Sequence, residues 1–556
     1  AVNLASFIKR LHKSLYHTTD DAPQRRLRKR FEAGLIRQRC QAEQAVAESG
    51  DAARFFGYAS TRLKLKDDLS VLIDSGQRII DDRRKADLLC DQFEGTYLNS
   101  TPITPLSSVL CSANIQQVVT DVDVSEERVI EELQSLDPKV SLCPELLPAV
   151  FFKRAAIGVA YPLSKIFRRS LEEGRVPSLY RKAWIAPVHK SGSKTDPANK
   201  RSVSLTAVTC RVLERIVCSA ILSSAEQQNL LSSTQFAYRK GRSSTDCLLM
   251  FFSDVGRWIS EGLPVDVIYC DFKSAFETMP HDLLISVLPS KGVGPKITQW
   301  ISDFLRDRTF RVKVEIILSR EGSVLTGCPQ GTVLGSLLFM FFIDQVKHIL
   351  PKSVKYVIYA DDIKLYMSVR DDNDANVLQC VLNDFIVWSS KMGLRLSAHK
   401  CGVLHLGSRN TKHNYMLDGI VLTKIKYAKD LGVRFSTSLT FTEQVTHVAS
   451  KCSLLCNWII RAFVVRSVSV YLKLYKSHVV PLLMYGCQVW NPPRLGDLGL
   501  LERMQRRFLR KVEKRCRVER HAFELKSVTE LFKEADIRQL RRLIKNEDLF
   551  DVMFEV

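Results

Sequence analysis

Four residues, Tyr359-Ala360-Asp361-Asp362, lie between two β-like stretches, Val354 to Ile358 and Ile363 to Val369. The pattern predicts a hairpin with two adjacent carboxylates at its turn. A third acid, Asp271, ends another strand-like run, Val265 to Cys270. Acids on two strand ends meet only if the strands pair with those ends level, so the chain is constrained to build one sheet from both. Three such acids suit two Mg²⁺ ions, because Mg²⁺ is hard and prefers carboxylate oxygen. Two ions a few ångströms apart activate an attacking hydroxyl and stabilise a leaving group in phosphoryl transfer. Consecutive strand residues point to opposite faces, so Asp362 is expected in a weaker metal role than Asp271 and Asp361. Asp-Asp in a hairpin is also ordinary turn chemistry. The remaining segments decide between the two readings.

The chain has 556 residues, 46% of them hydrophobic, enough for three or four domains or subdomains. Its net charge of +21 favours a polyanion as partner. The 15 cysteines are scattered, which points to reduced thiols and an intracellular setting. His447, Cys452 and Cys456 lie close in sequence, but the two cysteines have helical spacing beside Leu454, Leu455 and Ile459. A buried helix face is the expectation there, not zinc. The longest apolar run, Leu337 to Ile343, falls far short of the roughly 20 residues a bilayer takes, so no membrane is expected among the partners. The sequence begins at Ala1 without a signal-peptide pattern and is expected to be a piece of something longer.

Residues 1–100 read as mostly helical, with a basic run at Arg25, Arg26, Arg28, Lys29, Arg30, Arg37 and Arg39. That run is either a solvated face or a nucleic-acid contact. Ser125 is the expected N-cap of a helix, and helical periodicity over 146–175 breaks at Gly174 to Pro177. A strand is expected over 183–190 and a helix from about Thr206 to Gln228. Strands and helices alternate over 256–410, and the chain is nearly all helix from Phe441. One late helix places Leu500, Met504, Phe508 and Val512 on one face, with Arg503, Arg506, Arg507, Arg510, Lys511 and Lys514 around the remainder. Such a helix packs on a core and faces either a duplex backbone or water.

Several further residues have chemistry that fits polymerisation. Phe276, five residues past Asp271, is placed to abut the sugar of an incoming nucleotide and exclude a 2′-hydroxyl; taken alone it would be ordinary core. Thr326-Gly327-Cys328-Pro329-Gln330-Gly331 is a tight loop whose glycines permit close backbone approach. Gln330 is a candidate contact to the nucleotide or template base; the plain alternative is a strand-to-helix connector. Lys190 and Arg201 flank the Gly192 loop and suit a triphosphate, or else are solvated surface. Lys400 is a candidate proton donor to pyrophosphate, although its local sequence fits a bland reading equally well.

The order of these segments resembles the reverse transcriptase of non-LTR (LINE-like, jockey-type) retrotransposons. The matching segments are Trp184 to Lys190, Arg201 to Thr206, Gln235 to Ser243, Asp271 to Phe276, Gly327 to Gly331, Tyr359 to Asp362, Gly393 to Leu396 with Lys400, Leu431-Gly432-Val433, and Pro481 to Gly486. The resemblance implies an α+β right-hand polymerase of fingers, palm and thumb, with a helical N-terminal extension and a helical C-terminal region. The expected divisions are 1–100, the extension; 101–255, fingers; 256–436, palm; and 437–556, thumb and C-terminal region. It implies RNA-directed DNA synthesis on an RNA template from a DNA 3′ end, using dNTPs and two Mg²⁺ ions, in the nucleus and cytoplasm. It assigns metal to Asp271, Asp361 and Asp362, nucleotide contact to Lys190, Arg201, Phe272, Phe276, Gln330 and Gly331, and the catalytic proton to Lys400. The primer grip falls to Leu431 and Gly432, and an endonuclease domain is expected upstream.

The chain departs from the family pattern at three places. A usual Gly-Pro-Asp-Gly stretch is Cys143-Pro144-Glu145-Leu146, a usual Tyr-Arg-Pro is Lys200-Arg201-Ser202, and the acid after Phe276 is Glu277 where Asp is frequent. The first two are expected to weaken a turn and loosen the fingers. The competing reading is a catalytically decayed copy that at most binds nucleic acid.

Overall fold

The computed structural model describes residues 21–63, 71–98, 115–139, 143–492, 494–518 and 525–544. They form two compact units, one within 67–426 and one made of 1–66 with 427–556.

The unit within 67–426 is built on two five-stranded sheets. The first joins β3 (Lys182–His189), β4 (Lys200–Thr206), β6 (Arg308–Val314) and β7 (Ile317–Leu318) in the order β4-β3-β6-β7, with β8 (Gly322–Val324) also on β6. The helix Asp82–Leu98 covers this sheet: Cys90, Phe93 and Tyr97 share one core with Ile185, Phe310 and Val312. The second joins β5 (Val265–Cys270), β9 (Lys355–Tyr359), β10 (Asp362–Ser368), β11 (Gly402–Leu406) and β14 (Thr423–Lys424) in the order β14-β11-β5-β10-β9. Minor hairpins are β1 (Leu72–Asp74) with β2 (Gln77–Ile79) and β12 (Met416–Leu417) with β13 (Ile420–Val421).

As the central strand, β5 is buried on both faces and reads as a near-continuous apolar run. Its one acid, Asp266, is wholly buried yet satisfied. His405 Nδ1 lies 2.6 Å from it, and Tyr415 Oη and Asn410 Nδ2 each donate to it at 2.7 Å. The apolar run noted above lies in the helix Val333–Ile343, which is buried nearly throughout. Among the described residues no helix is long and apolar enough to cross a membrane.

In the other unit, β15 (Tyr427–Asp430) and β16 (Val433–Ser436) form a hairpin and the rest is helical. The helix Leu495–Cys516 buries Leu501, Met504, Phe508 and Val512 and exposes Arg503, Arg506, Arg507, Arg510, Lys511 and Lys514. The expected stripe and basic flank are both present, shifted from Leu500 to Leu501. Cys452 and Cys456 are buried on the helix Thr442–Ala462, with Cys456 Sγ 3.9 Å from Met504 Sδ. They are core, as their spacing implied.

The divisions differ from expectation at both ends. The described residues within 1–100 fall in both units. The helices Asp21–Ser49 and Ala52–Leu63 pack into the C-terminal unit, whereas Asp82–Leu98 joins the first sheet. The reason is burial of two side chains. Glu43, fully buried, accepts from the backbone N–H groups of Val464 (2.9 Å) and Val465 (2.7 Å), from Tyr58 Oη and from Arg39 Nε. Phe55 stacks on His478 at 4.3 Å. The C-terminal boundary falls at 426/427 rather than 436/437, because the β15–β16 hairpin belongs with the helices.

The altered Cys143–Leu146 stretch does not simply weaken a turn. Glu145 Oε2 accepts from Val208 N at 2.8 Å and Oε1 from Thr209 Oγ1 at 2.6 Å. The carboxylate thereby caps the helix Val208–Gln227, where a negative charge complements free N–H groups. Leu146 does carry strain, with φ +59 at a position two-thirds exposed. A left-handed conformation costs a β-carbon-bearing residue about 1–2 kcal/mol, against roughly 0.5–1 kcal/mol of extra unfolded-state entropy for glycine. Leu146→Gly is therefore expected to raise stability by about 0.5–1 kcal/mol in urea unfolding; a loss would show that Leu146 contributes packing instead.

Candidate active site

β10 runs antiparallel to β5 with Ile363 opposite Cys270. One step further along each chain, Asp362 lies beside Asp271, so the strand ends are level. β9 and β10 pair Tyr359 with Asp362 and leave Ala360-Asp361 as a two-residue turn. Only the first turn residue, Ala360, has positive φ (+56), as in a type II′ hairpin. Asp361 is thus a turn residue, released from strand alternation, and the register gives the place opposite Asp271 to Asp362. Asp361 and Asp362 are exposed and Asp271 is half-buried.

Among the described residues no three acids, histidines or cysteines converge closely enough to cage an ion. Like charges at adjacent strand ends repel, and Mg²⁺ usually sits on one or two carboxylates with substrate phosphates and water. Exposed hard-oxygen donors at level strand ends fit that mode of binding.

The segment after β5 is tied to a second turn. Lys273 N donates to Arg395 O and Ser397 N to Asp271 O, both at 2.8 Å, and Phe272 bridges Leu396. This brings Lys400 Nζ to 3.5 Å from Asp271 Oδ1. Both side chains are about half exposed, so the pair adds little stability.

A third segment packs on the same turn. Gly327 N donates to Met279 O, Cys328 N to Phe276 O, and Thr326 Oγ1 to Glu277 O, each at 2.8 Å. Gly327 has φ +73, and a Cβ there would stand 2.3 Å from Phe276 O. His281 Nε2 lies 2.8 Å from Gly327 O, and burial pushes its pKa down, so the neutral ring is favoured there. Gln330 O accepts from Ser204 N at 2.7 Å, and Gly331 packs by Val203. The loop therefore braces the 276–279 turn on one side and β4 on the other.

Other expected contacts divide. Lys190 and Arg201 are exposed at the end of the β3–β4 pair closed by the 190–199 loop. Phe272 and Phe276 are instead core side chains, 5% and 7% exposed. Phe272 tilts against Phe385, and Phe276 stacks on Phe339 with centroids 4.2 Å apart. Phe272 thus contributes packing rather than nucleotide contact, because the residue after a strand-end acid turns its side chain inward. Gln330 is partly buried, and its Oε1 has no hydrogen-bond partner among the described residues. Leu431 and Gly432, with φ +42 and +88, form the β15–β16 turn in the other unit, where Tyr485 Oη donates to Leu431 O at 2.7 Å.

Three residues near the acids were missed as site residues. Ser202 Oγ donates to Glu277 Oε1 at 3.4 Å. Burial raises the Glu277 pKa, and the Asp361 charge adds to the shift, while Ser202 and Lys190 oppose it. Glu277 therefore senses both the turn acid and the cation expected at the triphosphate. Tyr238 has φ +60, and burial and the Asp361 charge raise its hydroxyl pKa. The one sequence signal was that Ser202 and Glu277 are both departures from the family pattern; nothing linear shows that they touch. A Ser202→Ala, Glu277→Ala double-mutant cycle is expected to give a coupling of about 0.5–1.5 kcal/mol in thermal unfolding. Gly327→Ala should cost at least about 2 kcal/mol, from positive φ and the backbone clash together; a variant as stable as the parent would refute the bracing described.

Residues 188–435 match the family described as reverse transcriptase (RNA-dependent DNA polymerase). Among curated relatives, the probable RNA-directed DNA polymerase from transposon BS of Drosophila melanogaster is 24% identical over 401 residues, 69% of this chain and 44% of that protein. The RNA-directed DNA polymerase from mobile element jockey of the same species is 24% identical over 363 residues, 63% of this chain and 39% of that protein. Its counterpart from Drosophila funebris is 25% identical over 446 residues, 77% and 49%. The chain thus spans less than half the length of each. Residues 188–435 are thus similar to a reverse transcriptase domain, and the chain is similar to the polymerases of non-LTR retrotransposons.

Proposed function

We propose that this chain copies RNA into DNA from a DNA 3′ end by two-metal nucleotidyl transfer. The observation that carries the proposal is the β5–β10 register, which sets Asp362 beside Asp271 with Asp361 in the adjoining turn. In this reading the β5-centred sheet is the palm, the β3–β4 sheet belongs to the fingers, and the C-terminal helical unit is the thumb. The primer 3′ oxygen bonds to the α-phosphorus of a dNTP as the bond from that phosphorus to the bridging oxygen breaks. Mg²⁺ bound at the acids would supply Lewis acidity toward the hydroxyl and the phosphates. Lys190 and Arg201 orient the triphosphate from the β3–β4 end. Lys400 Nζ, beside Asp271, gives a proton to the departing pyrophosphate. Phe276, rigid on Phe339, offers only its exposed edge to the sugar. The exposed basic face of the Leu495–Cys516 helix neutralises backbone phosphates. An endonuclease elsewhere in the element belongs to the same reading.

A decayed copy is disfavoured by the departures themselves, since Glu145 makes a working cap and Ser202 meets Glu277. The purified chain, given a primed RNA template, dNTPs and Mg²⁺, should extend the primer. Asp361→Ala should lower extension by at least about 10³-fold, of the order seen on removing one preorganised transition-state partner, while template affinity stays within about twofold. Sustained synthesis by that variant would refute the metal assignment.

A further inference from the structure

We propose that a cavity behind the catalytic turn, outside the acids and the Lys190–Arg201 end, is a phosphate-oxyanion site that holds pyrophosphate on its way out. The inference rests on the polymerase reading, which makes pyrophosphate the product released at Asp271. The cavity has a volume of about 560 Å³, and Lys273, Ser274, Thr278, Arg395, Thr96 and Gly95 are among its lining residues.

Three observations set its chemistry. The first is charge. Lys273 and Arg395 are exposed, and neither has an ion pair among the described residues. The one acid on the wall, Asp91, shares Arg320 with Glu94: Arg320 Nε donates to Asp91 at 3.0 Å and Nη2 to Glu94 at 2.6 Å. On the wall itself the two cations outnumber the one carboxylate. The second is the donor set. Lysine and arginine bring eight N–H groups between them, and hydroxyls come from Ser274 and Thr278, that of Thr96 being spent on Gln92 O at 3.1 Å. Thr278 Oγ1 has no hydrogen-bond partner among the described residues. This is a donor-rich lining with its cations unspent, which suits phosphate oxygen and no cation.

The third observation is location. Lys273 is two residues past Asp271, so their Cα atoms lie within about 7 Å of each other. Arg395 belongs to the segment whose Ser397 N donates to Asp271 O, and Lys273 N donates to Arg395 O. Both cations are thus carried on the backbone frame that holds the catalytic acid. The far wall is the helix Asp82–Leu98, which lies outside the segment matching the reverse transcriptase family. A short oligoanion fits better than a strand. The cations sit on two facing turns a few residues wide, whereas a strand needs cations repeated along a track.

The test is calorimetric titration of inorganic pyrophosphate into the full chain, set against Lys273→Ala/Arg395→Ala. The paired variant is expected to bind at least tenfold more weakly. A Cβ added at Gly95 meets no atom within 4 Å, so Gly95→Glu brings a negative charge to the wall without crowding. It should weaken pyrophosphate likewise, and it guards against misfolding of the paired variant. In primer extension, both variants should need at least tenfold more pyrophosphate for half-inhibition than the parent. Unchanged pyrophosphate affinity in both folded variants overturns the proposal. So does a loss confined to single-stranded oligonucleotide binding, which would make the cavity part of a strand track. A parent chain that extends no primer, yet binds pyrophosphate through Lys273 and Arg395, would sink the polymerase reading and leave the anion site standing.

Discussion

The antiparallel pairing of β5 with β10 is the interaction on which the rest depends. Because side chains alternate with a period of two, a slip of one residue would turn every β10 side chain to the other face. Leu365 and Tyr366 would exchange environments, and Asp362 would leave Asp271. The register is held from both sides. β11 pairs with β5 on one flank, and the buried Asp266–His405–Tyr415 network ties that flank to the loop beyond it. Two further segments, 326–331 and 393–397, then read their positions from the same strand end through backbone hydrogen bonds. The geometry of the acids is therefore set by the sheet and not by the acids, which repel one another.

The hairpin, the central strand and the order of helices were legible because each has a local signature. Apolar runs of strand length flank Asp361-Asp362, and Ser125 accepts from Arg128 N at the head of its helix as a capping serine should. Cys452 and Cys456 showed their burial through spacing alone. What stayed hidden depends on contacts between distant positions. The inward turn of Phe272 is decided by Phe385, more than a hundred residues later. The path of the first two helices is decided by Glu43, a residue whose type argues for the surface. Its burial needs two backbone N–H groups at 464 and 465 that no local pattern announces.

The departures from the family pattern have a common physical account. In sequence they look like independent losses. In space, Ser202 supplies a hydroxyl that proline lacks, and Glu277 supplies the extra methylene that reaches toward it. Glu145 likewise reaches the first turn of the Val208–Gln227 helix. Leu146 carries a cost of its own, held in a backbone conformation that glycine would adopt freely.

The Glu43 contacts also bear on how the protein is made. The carboxylate and its partners are separated by 421 residues of chain. At ordinary rates of synthesis, the first helices emerge roughly 20–80 s before the segment that receives them. During that interval Phe55 and its neighbours have no core to enter, so these two helices must stay hydrated or be shielded. The 67–426 unit, compact in itself, is free to fold in the meantime. Assembly of this unit thus closes a ring in time, with helices made early waiting for partners made more than four hundred residues later.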